Sequence, residues 1–157
     1  MATTIATTIA TTIATTIATV VFPARDFEAG VRAWASVFGA GPAFSSSGQQ
    51  TAPGEADFAV FTTPDIEIAL TSLPWVDEPL VFLDAEDIEL ARQELVDAGA
   101  TGLGEVADGS LAELGTAPIT NGSAETGVVE VPGAKLAVVR LADGNLLGLR
   151  QSMPVAW

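Results

Sequence analysis

Val21-Phe22, followed by Asp26-Phe27-Glu28, returns later in the chain as Val81-Phe82, followed by Asp87-Ile88-Glu89. The offset is 60 residues at the apolar pair and 61 at the acidic triplet. A second correspondence sets Phe58-Ala59-Val60-Phe61 against Leu136-Ala137-Val138-Val139, and Asp65 against Asp143, both at an offset of 78. Ser72-Leu73-Pro74 resembles Ser152-Met153-Pro154. Matches that keep a shared order along the chain point to an internal duplication. The fold then follows from one unit used twice.

Working outward from Val21-Phe22, the acidic triplet opens a helix. Phe27, Val31, Trp34 and Phe38 recur at helical spacing, Asp26 is the N-cap, and Gly39 or Gly41 ends the run. Phe44 to Ser47, Phe58 to Thr62 and Ile66 to Thr71 read as strands, with a loop over residues 48–55 and Pro64-Asp65 between the last two strands. The second copy opens with a strand at Leu80 to Leu83 and a helix from Asp84 to Ala98, with Ile88, Ala91, Leu95 and Ala98 on one face. A weak strand at Leu103 to Val106 and a Gly- and Ser-rich stretch over residues 107–125 follow. Strands at Val128 to Val131, Ala134 to Leu141 and Leu146 to Arg150 close the chain, the last two joined by Asp143-Gly144-Asn145.

The N-terminus reads ATTI four times over residues 2–17. Its density of β-branched Thr and Ile disfavours helix and favours extended chain. Sixteen extended residues span about 53 Å, too long for one strand of a small sheet. The first core strand is therefore expected over Thr15 to Phe22, with residues 1–14 as an extension. The expected organisation is the extension, a first module over residues 15–74, a linker over 75–79 and a second module over 80–157.

Composition narrows the chemistry. The 157 residues carry six Lys and Arg against twenty Asp and Glu, a net charge of −14, and no His, Cys or Tyr. Imidazole bases, thiolate nucleophiles, disulfides and the usual zinc sites are excluded. The acidic balance argues against nucleic acid and against an anionic membrane surface. It permits a cationic ligand through steering. No uninterrupted apolar run is long enough for a transmembrane helix, and the N-terminus lacks the basic region of a secretory signal, so a cytoplasmic protein is expected.

Two βαβββ modules of this kind resemble the vicinal oxygen chelate superfamily, which contains glyoxalase I, bleomycin-resistance proteins and extradiol dioxygenases. The resemblance covers about residues 15–152 and rests on two stretches. Ala24-Arg25-Asp26-Phe27-Glu28 with Trp34 and Phe38-Gly39 looks like the family's helix-opening motif. Asp143-Gly144-Asn145-Leu146-Leu147-Gly148-Leu149-Arg150-Gln151 looks like its terminal hairpin. The resemblance implies an α+β fold in which two βαβββ modules form curved mixed sheets around a cleft. It also implies a divalent metal held by His and Glu from four strands.

The positions that correspond to those ligands are Thr19, Ala69, Leu80 and Gly148. They offer no donor set for such an ion, so the expectation is a member without metal or other cofactor. By strand alternation, Glu67, Thr71, Glu78, Phe82 and Arg150 share the cleft with them and are the candidate ligand-binding residues; no catalytic residue is singled out. Trp75 and Trp157 are candidates for stacking on a flat ligand or for covering a seam. The eight acids between Asp77 and Asp97, opposed only by Arg92, read as a solvated face or an acidic rim.

Three functions stay open. One is a metal-independent binder of a small apolar or cationic ligand. Another is a structural or interaction protein with a filled cleft. The third is a glyoxalase-like lyase or dioxygenase that holds a displaced, carboxylate-bound metal. A homodimer is expected, and the sequence leaves open whether modules pair within one chain or between two.

Overall fold

A computed structural model of the chain describes residues 13–46, 57–131 and 133–153. The element order is β1 (Ile13–Pro23), α1 (Phe27–Phe38), β2 (Phe44–Ser46), β3 (Phe58–Thr62), β4 (Glu67–Thr71), β5 (Leu80–Ala85), α2 (Ile88–Asp97), β6 (Thr101–Glu105), β7 (Leu111–Glu113), β8 (Val129–Val131), β9 (Ala134–Arg140) and β10 (Leu146–Ser152). The strands form one mixed sheet in the order β2-β3-β4-β1-β5-β10-β9-β6-β7, with β8 paired to β9. In both modules the first strand runs parallel to the last, β1 with β4 and β5 with β10. The two copies meet edge to edge within one chain, where β1 and β5 pair antiparallel through Thr19–Phe82, Val20–Val81 and Val21–Leu80.

Each helix is fixed by the local chemistry of its first turn. Asp26 accepts a hydrogen bond from the Ala29 N–H at 3.1 Å, and Asp87 does the same for Leu90 at 3.1 Å. Gln151, on the terminal hairpin, accepts from the Ile88 N–H at 2.9 Å and so ties β10 to the start of α2. Gly39 closes α1 at φ 71°, a left-handed conformation that costs glycine little. At the turn before β10, Asp143 accepts from the backbone and side-chain N–H groups of Asn145, and these bonds hold its carboxyl below the usual carboxylate range.

Three apolar clusters follow from strand alternation. Phe27 and its neighbours on α1 pack on Phe61, Ala59 and Leu70, with Trp34 lying between the rings of Phe22 and Phe38 at centroid distances of 4.9 and 6.0 Å. Ile88, Ala91 and Leu95 of α2 pack on Ala85, Ala137, Val139 and Leu149. A third cluster holds no helical residue. Val21, Ala69, Leu80, Phe82, Leu103 and Val138 form its centre, with Val76 from the segment between the modules. It lies on the helix-free face of the open, curved sheet.

Several element boundaries differ from expectation. β1 starts at Ile13 rather than Thr15, because Ile13 still finds Ala85 across the β1–β5 pair after two register shifts. α2 starts after Asp87 rather than at Asp84, because Asp84 continues β5 in register with Arg150. Ala98 is the exposed C-cap rather than part of the apolar face, and Arg92 takes the fourth buried position on that face. Leu111–Glu113 is a strand inside a stretch expected as loop, paired with Leu103–Glu105. The ATTI extension before Ile13, the loop over residues 48–55 and Trp157 lie outside the described residues.

Candidate functional site

On the helix-free face, one row of paired residues crosses four strands. Glu67 of β4 stands opposite Thr19 of β1, Thr19 opposite Phe82 of β5, and Phe82 opposite Gly148 of β10. The adjacent row places Ala69, Val21 and Leu80 side by side. The four positions singled out from the sequence thus surround the seam between the modules. Thr19 and Leu80 lie diagonally across the seam, with Ala69 and Gly148 on the strands flanking it.

What these positions present is mostly apolar bulk. Ala69 is 0% exposed, Leu80 4%, Phe82 6% and Thr19 7%. The Phe82 ring lies over Gly148: a β-carbon built there would stand 2.6 Å from Phe82 Cγ and Cε2. Any side chain at position 148 therefore competes with that ring for the same space.

The polar groups gather at the edge of this floor. Glu67 Oε1 accepts from the Thr19 hydroxyl at 3.2 Å and faces Arg150 Nη2 at 3.6 Å. The ion pair reaches from β10 to β4, past both strands of the seam. Both side chains are partly exposed, so their Coulomb attraction is screened and the pair contributes little stability.

Of the remaining sequence candidates, Thr71 is fully buried and has a structural role. Its hydroxyl donates to the Asp57 carbonyl at 3.2 Å and accepts from the Leu73 N–H at 3.1 Å. Glu78 lies in an exposed bend before β5 begins, where strand alternation no longer governs its direction. The structure thus brings Glu67, Thr19 and Arg150 together, sets Phe82 on Gly148, and leaves Glu78 apart.

Glu105 was not singled out from the sequence. Alternation in β6 puts it on the same face as Leu103, beside the cluster that contains Trp75. It is 8% exposed, and its Oε2 accepts from Asn121 Nδ2 at 3.4 Å. Desolvation raises its pKa, opposed by Asn121 and by the Trp75 indole turned toward it. The indole Nε1 is buried, and Glu105 is the acceptor it faces. The signal for Glu105 was available as a lone acid two residues from a core leucine in a short strand.

Among the described residues no group of three or more acidic side chains is placed to share a metal ion. A groove of about 600 Å³ beside the start of α2 is lined by Glu89, Asn121, Ser123, Thr126 and Glu130, among others, and by none of Thr19, Glu67, Phe82 or Arg150. Among the described residues no helix is long and apolar enough to cross a membrane.

No family model matches the chain, and no curated protein matches it. Solved structures do. Methylmalonyl-CoA epimerase from Mycobacterium tuberculosis aligns with a TM-score of 0.62 at 12% identity, over 92% of each chain. The fold is that of methylmalonyl-CoA epimerase. A variant of the Streptomyces coelicolor epimerase, in complex with 2-nitronate-propionyl-CoA, aligns with a TM-score of 0.58 at 16% identity, over 89% of this chain and 99% of that one. A hypothetical protein from Bacillus halodurans C-125 gives 0.60 at 12% identity, over 90% and 96%. These epimerases belong to the vicinal oxygen chelate superfamily, so the glyoxalase-like architecture that the resemblance implied is the one found. At such identities the likeness is one of fold.

Proposed function

We propose that this chain is a metal-independent small-molecule-binding protein on the epimerase-type fold, with its ligand held on the concave face beside Thr19, Glu67 and Arg150. The observation that carries this is the partly exposed Glu67–Arg150 pair, with the buried Thr19 hydroxyl donating to Glu67, set at the margin of an apolar floor. Apolar walls with a few convergent polar groups are the usual make-up of a small-ligand site. A hydroxyl, a methyl, an isobutyl group and a glycine at Thr19, Ala69, Leu80 and Gly148 do not fit a divalent ion, which needs several hard or borderline donors. The Phe82 ring over Gly148 supports the same conclusion. The ligand is small and mostly apolar, and the −14 charge favours one that carries a cationic group.

Calorimetry and tryptophan fluorescence against a panel of basic aromatic compounds test this. Binding in the micromolar range is expected, weakened by Glu67→Gln or Arg150→Gln. No binder at high micromolar concentration, or binding indifferent to both substitutions, overturns it. Stoichiometric magnesium or manganese in the purified protein, with a metal-dependent rise in Tm, would favour a displaced carboxylate site instead.

A non-catalytic interaction protein with a filled cleft is the second proposal. The near-complete burial of Ala69, Leu80 and Phe82 favours it, since a wide ligand cavity leaves its floor open to solvent. A homodimer in the cytoplasm belongs to either proposal, and mass in solution tests the dimer.

A further inference from the structure

Six cations serve this acidic chain, and five of them are ordinary. Lys135 pairs with Glu89, Arg140 with Glu113 and Arg150 with Glu67, while Arg25 and Arg32 lie exposed. Arg92 differs: it is 8% exposed and makes no ion pair among the described residues. Among the described residues its one hydrogen bond runs from Nη2 to the neighbouring Gln93 Oε1 at 3.4 Å, and its Nε is buried without a partner there. Glu94, on the same helix, keeps its own Oε2 buried and unpartnered and does not reach Arg92.

The surroundings are shaped to hold a guanidinium. Arg92 Nη1 lies 2.6 Å from the point where a β-carbon on Gly102 would stand, so the glycine of β6 makes the cradle into which the group fits. Leu114 Cδ1 approaches the same point at 3.1 Å. A guanidinium cannot shed its proton to escape burial. A buried charge is costly unless it is paired and hydrogen-bonded. The planar N–H fork matches the two oxygens of a carboxylate or phosphate.

We propose that Arg92, set between α2 and Gly102 of β6, is a receptor for a small oxyanion, a carboxylate or a phosphate group. The site lies on the helical face of the sheet, separate from the concave face. It is independent of the ligand proposed there.

The test uses the full chain. The Arg92 Nε–H resonance and the Tm are followed while sodium phosphate or sodium acetate is added, with sodium chloride at matched ionic strength as control. A saturable shift of that resonance and a Tm that rises with anion concentration are expected. Both should be lost in Arg92→Met. A response to phosphate alone or to acetate alone identifies which source of oxyanion the site takes, and either supports the proposal. If Arg92→Met does not fold, Arg92→Lys keeps the charge without the fork and should weaken the response at least tenfold. A resonance that neither anion moves, as expected for an arginine satisfied by solvent alone, overturns the proposal. So does a Tm rise that persists in the variants.

Discussion

Replacing Gly148 with Ala should destabilise the protein in one context and stabilise it in another. The new β-carbon would stand 2.6 Å from Cγ of Phe82, well inside contact distance, and Cγ is not the free end of a flexible chain. The ring must shift within a cluster that already packs Leu80, Leu103 and Val138 around it. Overpacking of this kind costs about 1–3 kcal/mol. Against it, Ala in a strand interior is intrinsically better than Gly by roughly 0.5–1 kcal/mol. The clash outweighs that gain, so Gly148→Ala should lose stability and lower Tm, by about 2–4 °C per kcal/mol for a chain of this size. In a Phe82→Ala background, itself costing about 3–5 kcal/mol, the clash is gone. Gly148→Ala should then be neutral or stabilising. Urea unfolding of the four proteins gives the cycle, and a coupling of about 1–3 kcal/mol is expected for groups in direct contact. Phe82→Leu serves where the smaller residue leaves too little stability to measure. If Gly148→Ala costs the same with and without the ring, the two positions do not compete for one space, and Phe82 does not fill the place of a side chain at 148.

Glu105 makes a pH prediction. Its folded pKa lies above its ordinary value of 4.5 because burial disfavours the charged form. The folded state therefore holds its proton more tightly than the unfolded state, and stability falls as pH rises through the folded pKa. Glu105→Gln should be more stable than the parent at neutral pH, and the gain should vanish near about pH 4. A gain that persists there in urea midpoints refutes it. Thr71→Val keeps the shape but removes the acceptor of the Leu73 N–H, and should cost about 1–3 kcal/mol, while Thr71→Ser costs less. Arg150→Gln breaks a partly exposed ion pair and should cost under about 1 kcal/mol in chemical unfolding. A larger loss would make Arg150 a structural residue rather than a ligand contact.

The duplication was legible because it is written in local chemistry. Two capping aspartates, two apolar strands ahead of them and a closing hairpin recur in order, and each acts through neighbours a few residues away. What was not legible depends on distant partners. Asp84 and Asp87 can each cap a helix by type, and the choice falls to Asp87 because Asp84 is committed to β5 opposite Arg150. Leu111–Glu113 has no strand pattern of its own and becomes a strand by pairing with β6. Within the site, the resemblance supplied Thr19 and Gly148, strand alternation added Glu67 and Phe82, and the register puts all four on one face. They could not show that the Phe82 ring would cover Gly148. By composition Arg92 is only the lone cation in an acidic run. Its spacing of four from Ile88 and three from Leu95 already sets it on the buried side of α2.

The same register that brings four strands to one seam leaves two uses for the space between them. Convergent donors there would be buried and mutually repelling unless a cation held them together. Convergent apolar groups need no partner and stabilise the junction of the modules by being covered. In this chain the seam carries Val21, Leu80 and Phe82, so the space serves the joint. The remaining charged pair, Glu67 and Arg150, lies where solvent still reaches it. On the proposed function, the ligand is held at that margin. A substitution that opens the seam should weaken the junction of the two modules before it creates a pocket.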